Sequence, residues 1–285
     1  MKPDVLITGC GFLGEAAAVA FSRAGASVAG VNRSAPSEDP GRPFPVLPCD
    51  VTDRGAIEAL APVLRGVSVA VHAVSSGRGG ADVYRAVYRE GLRNILDLWS
   101  PGRVIFVGST SVYAQTDGSV VTEESPALPD RETGRILLEA EEIALKDGGL
   151  VARLSGLYGP GRSVLLRRFL TGEAVLEEGG IRWINQIHRD DAASALLRLA
   201  DPRTAPGIYN VSDDTPSTQG EIFSWMAAAT GRPLPPEGSA DRDRKRGWTS
   251  KRISNRKLRA TGWSPCFPSY RDALPRLLEE NPFSL

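Results

Sequence analysis

Four residues, Val5-Leu6-Ile7-Thr8, run directly into Gly9-Cys10-Gly11-Phe12-Leu13-Gly14 and then into an alanine-rich stretch. A short apolar run without polar alternation suits a strand buried on both faces, which is the habit of parallel sheets. The pattern repeats. Short Val/Ile/Leu runs at 27–31, 44–47, 67–73 and 103–108 are separated by amphipathic stretches at 11–24, 54–64 and 83–99. Strands joined by crossover helices predict a doubly wound α/β sheet. Beyond about residue 155 the pattern turns irregular. One further strand at about 207–211 is expected to return to the sheet, with helices near 191–200 and 219–230. Residues 233–246, rich in Pro and charge, read as a surface loop, the basic run 242–246 included.

Function classes fall away on charge and residue usage. Lys+Arg and Asp+Glu both number 34 in 285 residues, so the formal net charge is 0. That lacks the basic excess which drives binding to nucleic acid. No apolar run approaches the ~20 residues needed to span a bilayer, and the opening apolar patch stops at glycines too soon for a signal peptide. Cys10, Cys49 and Cys266 are odd in number and far apart, which favours a reducing, cytoplasmic setting over a disulfide framework. With only His72 and His188 as imidazoles, no multi-histidine metal centre is expected.

Gly9-Cys10-Gly11-Phe12-Leu13-Gly14 has the spacing of a phosphate turn in its proper context, after a strand and at a helix start. Gly9 permits the tight turn, Gly11 lets backbone approach a diphosphate, and Gly14 lets helix pack on strand. The amides of Phe12 and Leu13 then face the anion. Where a carboxylate would accept from a ribose 2′-hydroxyl, the chain has Asn32-Arg33-Ser34. A guanidinium can fork a 2′-phosphate, so NADP is expected ahead of NAD. Asp50-Val51 after the third strand would line the adenine, or Asp50 would cap the next helix. His72-Ala73 ends a strand beside the expected cofactor, with the His72 imidazole itself read as structural.

Further segments add up in order and spacing. They are Val107-Gly108-Ser109-Thr110-Ser111-Val112-Tyr113, then Arg153 to Arg162 with Tyr158-Gly159-Pro160-Gly161 inside it, then Asn185 to Asp191, then Tyr209-Asn210-Val211. Over essentially the whole chain this resembles the extended short-chain dehydrogenase/reductase superfamily of the NAD-dependent epimerase/dehydratase type. The resemblance implies a Rossmann domain over residues 1–155 and a smaller substrate-binding lid over 156–285. It implies Ser109 as the catalytic hydroxyl and a homodimer through helices near 83–99 and 135–146. It also implies a catalytic tyrosine and lysine at positions held here by Thr133 and Leu137. Threonine has no accessible pKa and leucine no charge, so the family's proton transfer is not expected. The turn is also one residue tighter than the family's usual glycine spacing. Both departures resemble an atypical subgroup that binds dinucleotide without the tyrosine.

Tyr158 is a candidate substitute acid, with packing under the lid as its other role. Ser111, Tyr113, Arg135, Arg162 and His188 are candidates for the substrate, and Glu123-Glu124 is either a pocket element or an exposed turn. Two functions follow. One is an NAD(P)-dependent oxidoreductase or epimerase on a small polar or nucleotide-sugar-like substrate. The other is a dinucleotide-loaded sensor with its chemistry lost.

Overall fold

Period-two burial organises the chain around one sheet. In β1 (Val5–Thr8), Val5 and Ile7 join one buried cluster while Leu6 joins another, because successive side chains point to opposite faces. A computed structural model describes residues 3–34, 41–77, 79–243 and 247–280. Its main sheet adds β2 (Val28–Asn32), β3 (Val46–Pro48), β4 (Val69–His72), β5 (Arg103–Ser109), β6 (Leu150–Leu154) and β7 (Gly207–Val211). The seven strands are parallel in the order β7-β6-β5-β4-β1-β2-β3. Thr8 pairs with Val31 on one side and His72 on the other. The carboxyl ends of these strands are therefore level where the strand order reverses, the place at which such sheets bind ligands.

Helices cover both faces. The residues Val5, Ile7, Val71, Ile105 and Leu154 pack under α1 (Phe12–Arg23) and α6 (Arg189–Ala200), with Ala17, Ala18, Leu196 and Leu199 in the same cluster. The other face carries α2 (Arg54–Leu64), α3 (Gly91–Trp99) and α4 (Glu132–Lys146). There Trp99 is fully buried and donates Nε1–H to the Ile57 carbonyl at 2.8 Å. The chain enters α3 through one α-turn, Ala81–Tyr84, and a π-helical turn, Arg85–Glu90. The sequence pattern predicted one uninterrupted helix there.

The C-terminal part has its own core. Leu166, Phe169 and Leu170 of α5 (Val164–Leu170) pack with Ile222, Phe223 and Met226 of α7 (Gln219–Thr230) and with Leu274 and Leu277 of α8 (Tyr270–Glu279). Trp263 instead lies in the main-sheet core, and its Nε1–H donates to Ser194 of α6 at 2.9 Å. A two-residue strand ties this part to the rest, Arg252–Ile253 pairing with Val120–Val121, and another pairing, Glu237–Gly238 with Leu176–Glu177, lies within it. The expected loop over 233–246 therefore contains a paired segment, while residues 244–246 of its basic run lie outside the described residues. Among the described residues no helix is long and apolar enough to cross a membrane.

Candidate functional site

A cleft of about 1230 Å³ runs along the carboxyl ends of the strands, from Gly9 and Arg33 at one end to Lys251 at the other. Pockets for drug-sized ligands measure about 300–1,000 Å³, and this cleft exceeds that range. The turn after β1 shapes its first half. Gly9 adopts φ +86, and a Cβ there would stand 2.6 Å from the Val74 backbone. Gly11 has nothing within 4 Å of its absent Cβ, so backbone faces open cleft. Gly14 does not line the cleft; a Cβ on it would strike the Gly9 carbonyl, so it is the contact that seats α1 on β1. With Gly11 as N-cap the helix has no side-chain cap, which leaves its leading amides for a ligand.

Neighbouring strands complete this half. Asn32 lines the cleft and its Nδ2–H donates to the Cys10 carbonyl at 3.0 Å, bracing the turn from β2. Arg33 is exposed at the cleft mouth. Asp50 and Val51 line it too, and the cap of α2 is Asp53 rather than Asp50, accepting from the amides of Gly55 and Ala56. Phe12 lies between two guanidiniums, Arg162 at 5.0 Å and Arg189 at 5.3 Å from the ring centroid. Arg162, expected beside the substrate, thus stands over the head of α1. This cradle fits a dinucleotide: close backbone approach at Gly9 and Gly11, bare helix amides, and cations flanking them.

Several other expected site residues lie elsewhere. His72 does not reach the cleft, although Ala73 lines it. Its Nε2–H donates to the Val87 carbonyl at 3.2 Å and Nδ1 accepts from the Thr8 hydroxyl at 2.9 Å; burial pushes its pKa down to about 4. Tyr113 is fully buried, its hydroxyl on Asn210 Oδ1 at 3.0 Å and its ring under the Arg153 guanidinium. His188 is buried too. Its Nδ1 accepts the Asp190 amide to cap α6, its ring packs on Phe267, and burial lowers its pKa. Arg135 is exposed on α4, outside the cleft lining. None of these side chains is part of the cleft lining. His72, Tyr113 and His188 are held by residues distant in sequence that the local motif does not reveal.

The second half of the cleft holds Ser109, Ser111, Leu137 and Tyr158. Ser109 Oγ accepts the Ser111 amide at 3.2 Å and so caps the turn Thr110–Val112. Leu137 presents a methyl-lined wall, whereas Thr133 is not part of the lining. Tyr158 packs between His188 and Tyr270, and its hydroxyl has no hydrogen-bond partner among the described residues. Burial, with Asp213 near, pushes that phenol far above its usual range, the wrong direction for a proton donor at neutral pH. Glu123 accepts the Asn210 amide at 2.7 Å and belongs to the strand end rather than to the cleft.

One residue the sequence did not single out stands in this half. Lys251 is only 4% exposed. Its Nζ donates to the Tyr113 carbonyl and to Thr249 Oγ1, both at 2.9 Å. Among the described residues no carboxylate pairs with it, and burial together with the nearby Arg182 holds its pKa down to about 7. Arg182 donates to the Thr249 carbonyl at 3.0 Å and faces Glu177 at 3.6 Å. A lysine in Thr249-Ser250-Lys251-Arg252 reads locally as solvated; only its packing against residues far along the chain makes it otherwise.

Comparisons agree with this geometry. Residues 5–212 match the family model described as NAD dependent epimerase/dehydratase family. Protein YeeZ of Escherichia coli (strain K12) is 28% identical over 240 residues, 80% of this chain and 84% of that one. A 3-diazoavenalumate denitrifying reductase of a Streptomyces species is 31% identical over 179 residues, 55% of this chain and 59% of the reductase. The chain thus spans about three fifths of that relative. A solved structure described as an NAD-dependent epimerase/dehydratase from Methylobacillus flagellatus superposes with a TM-score of 0.80 at 29% identity, covering 98% of both chains.

Proposed function

The chain belongs to the NAD dependent epimerase/dehydratase family, and from that premise we infer that it is an NADP(H)-preferring oxidoreductase of a small polar carbonyl or hydroxyl compound, nucleotide-sugar-like ones included. The observation that carries this reading is the uncapped head of α1 opening on a cleft that continues to Ser109. The leading amides of α1 and the Arg162 guanidinium would hold the diphosphate, Arg33 the 2′-phosphate, and Asp50 and Val51 the adenosine edge. Residues 1–155 carry most of the cofactor in this reading, with Arg162 added from residues 156–285, which together with Ser109 supply the substrate end. When bound, the dinucleotide supplies or takes up a hydride.

Ser109 is positioned to donate a hydrogen bond to the substrate oxygen and orient it. Its neighbour in this role differs from the family pattern. At the positions where the family carries tyrosine and lysine, this chain offers Thr133 and Leu137, neither of which titrates. A relative whose name is that of a reductase supports redox chemistry over a sensor role.

The reading is tested by calorimetry and thermal shift with NADPH and NADH, followed by an absorbance screen of aldehydes, ketones and nucleotide sugars. NADPH is expected to bind the more tightly. Arg33→Ala should weaken NADPH by about 10–100-fold and NADH by less than about threefold, the difference being one charge-assisted fork. Equal losses would remove the 2′-phosphate assignment. No heat and no upshift with either coenzyme would remove the whole reading.

A further inference from the structure

We propose that Lys251 is the catalytic residue that exchanges a proton with the substrate oxygen, doing from the C-terminal part the work that the family assigns to a tyrosine on α4. The proposal rests on the oxidoreductase reading above and names the group that reading leaves open.

Position comes first. The Lys251 ammonium is bonded to the carbonyl of Tyr113, which closes the turn that Ser109 opens. The ammonium and the Ser109 hydroxyl therefore stand at the two ends of one five-residue turn, and both residues line the same cleft. Donor count comes second. An ammonium has three N–H donors, and two of them go to neutral oxygens, the Tyr113 carbonyl and the Thr249 hydroxyl. The third remains for a ligand in the cleft. Burying a lysine without a carboxylate is costly; a purely structural amine at this place would be expected to carry an ion pair.

Alternatives in the same cleft fail on chemistry. The Tyr158 phenol is too weak an acid and Leu137 has no proton to give, while the imidazoles of His72 and His188 are not part of the cleft lining at all. The charged group that faces Lys251 is Arg182, which disfavours a second positive charge; Arg252, next in sequence, turns away to the Gly118 carbonyl. Both protonation states of Lys251 are therefore populated near neutrality, as a group that must give and regain a proton requires.

In the reducing direction, the carbonyl carbon takes up a hydride, two electrons and one hydrogen, from a reduced nicotinamide. The C=O π pair moves to oxygen and takes a proton from the Lys251 ammonium. An alcohol, an oxidised nicotinamide and a neutral amine result, and water then restores the proton. Reduction should fall as pH rises through about 7, because the ammonium is lost. Oxidation should rise over the same interval.

Two measurements on the full chain test this. Lysine-selective ¹³Cε NMR, with Lys251→Met for assignment, follows the amine directly and needs no substrate. A midpoint near neutral supports the proposal, and one at the ordinary ~10.4 overturns it. For the first carbonyl compound consumed with NADPH, Lys251→Met and Lys251→Arg should each lower kcat by about 100-fold or more. NADPH affinity should stay within about twofold, and the pH limb near neutral should vanish. An arginine retains the charge but does not release a proton. If Lys251→Arg keeps most of the wild-type kcat, the residue is an anion anchor and the proposal falls. Absent NADPH binding would sink the oxidoreductase reading instead, and the NMR midpoint separates the two failures.

Discussion

At the scale of single residues, burial without charge compensation sets how the molecule responds to pH. His72 is fully enclosed, with Nε2–H on the Val87 carbonyl and Nδ1 on the Thr8 hydroxyl, so both nitrogens are satisfied only in the neutral ring. Its pKa falls to about 4 from an ordinary 6.5. Between those values the unfolded chain binds a proton that the folded chain refuses. Stability is therefore unaffected by this group above pH 6.5 and declines as pH falls, by about 3 kcal/mol once pH 4 is reached. Urea unfolding at pH 7 and pH 5 should show the loss, and His72→Leu should flatten that slope even though the variant is less stable throughout. An unchanged slope would place the acid sensitivity on other groups. Arg153 and Glu141 show the opposite solution to burial: a two-pronged ion pair with both side chains at most 4% exposed, spanning β6 and α4. Removing one partner of such a pair strands a charge and costs about 3–5 kcal/mol.

At the scale of elements, the glycines of the first turn separate folding from binding. Gly11→Ala meets nothing within 4 Å and Gly11 sits at φ -98, so the new methyl projects into the cleft without strain. Stability should change by less than about 1 kcal/mol while dinucleotide affinity drops at least about tenfold. Gly14→Ala drives its methyl into the Gly9 carbonyl and should cost about 1–3 kcal/mol as overpacking. Denaturant midpoints and calorimetry on the two variants would show these opposite profiles; identical profiles would mean that the turn does not meet the diphosphate. This turn was legible because its chemistry is local: strand, glycines and helix start are contiguous. The main strands were legible for a related reason, since a strand buried on both faces must be apolar at every position. Where partners are remote, legibility ended. The two-residue strand Arg252–Ile253 exists only because Val120–Val121 lies alongside. The π-turn Arg85–Glu90 left no mark in a pattern that suits an ordinary helix. Tyr113 and His188 read as pocket residues because their motifs end strands, yet Asn210 and Phe267 decide where their side chains go. Lys251 was passed over for the same cause in reverse.

At the scale of the whole molecule, the Lys251 end of the cleft depends on how a C-terminal segment is fastened in place. Asn185 is the fastener: Nδ2–H donates to the Lys251 carbonyl at 2.9 Å and Oδ1 accepts the Ile253 amide at 2.7 Å. Asn255 adds a second tie, its Nδ2–H donating to the carbonyls of Ser212 and Asp213 just beyond β7. Asn185→Ala would leave the buried Ile253 amide unpaired, at a cost of about 1–3 kcal/mol. Because the tie is local, amide exchange should accelerate over residues 249–254 far more than over β1, where Leu6 remains sealed in the sheet. Water entering beside a loosened segment relieves the desolvation of the Lys251 amine, so its titration midpoint should move upward from about 7 towards the ordinary value. Exchange that quickens equally in both places would show that the two parts open together as one cooperative unit. A midpoint that stays put while the segment loosens would show that the Arg182 charge, rather than burial, holds the amine near neutrality.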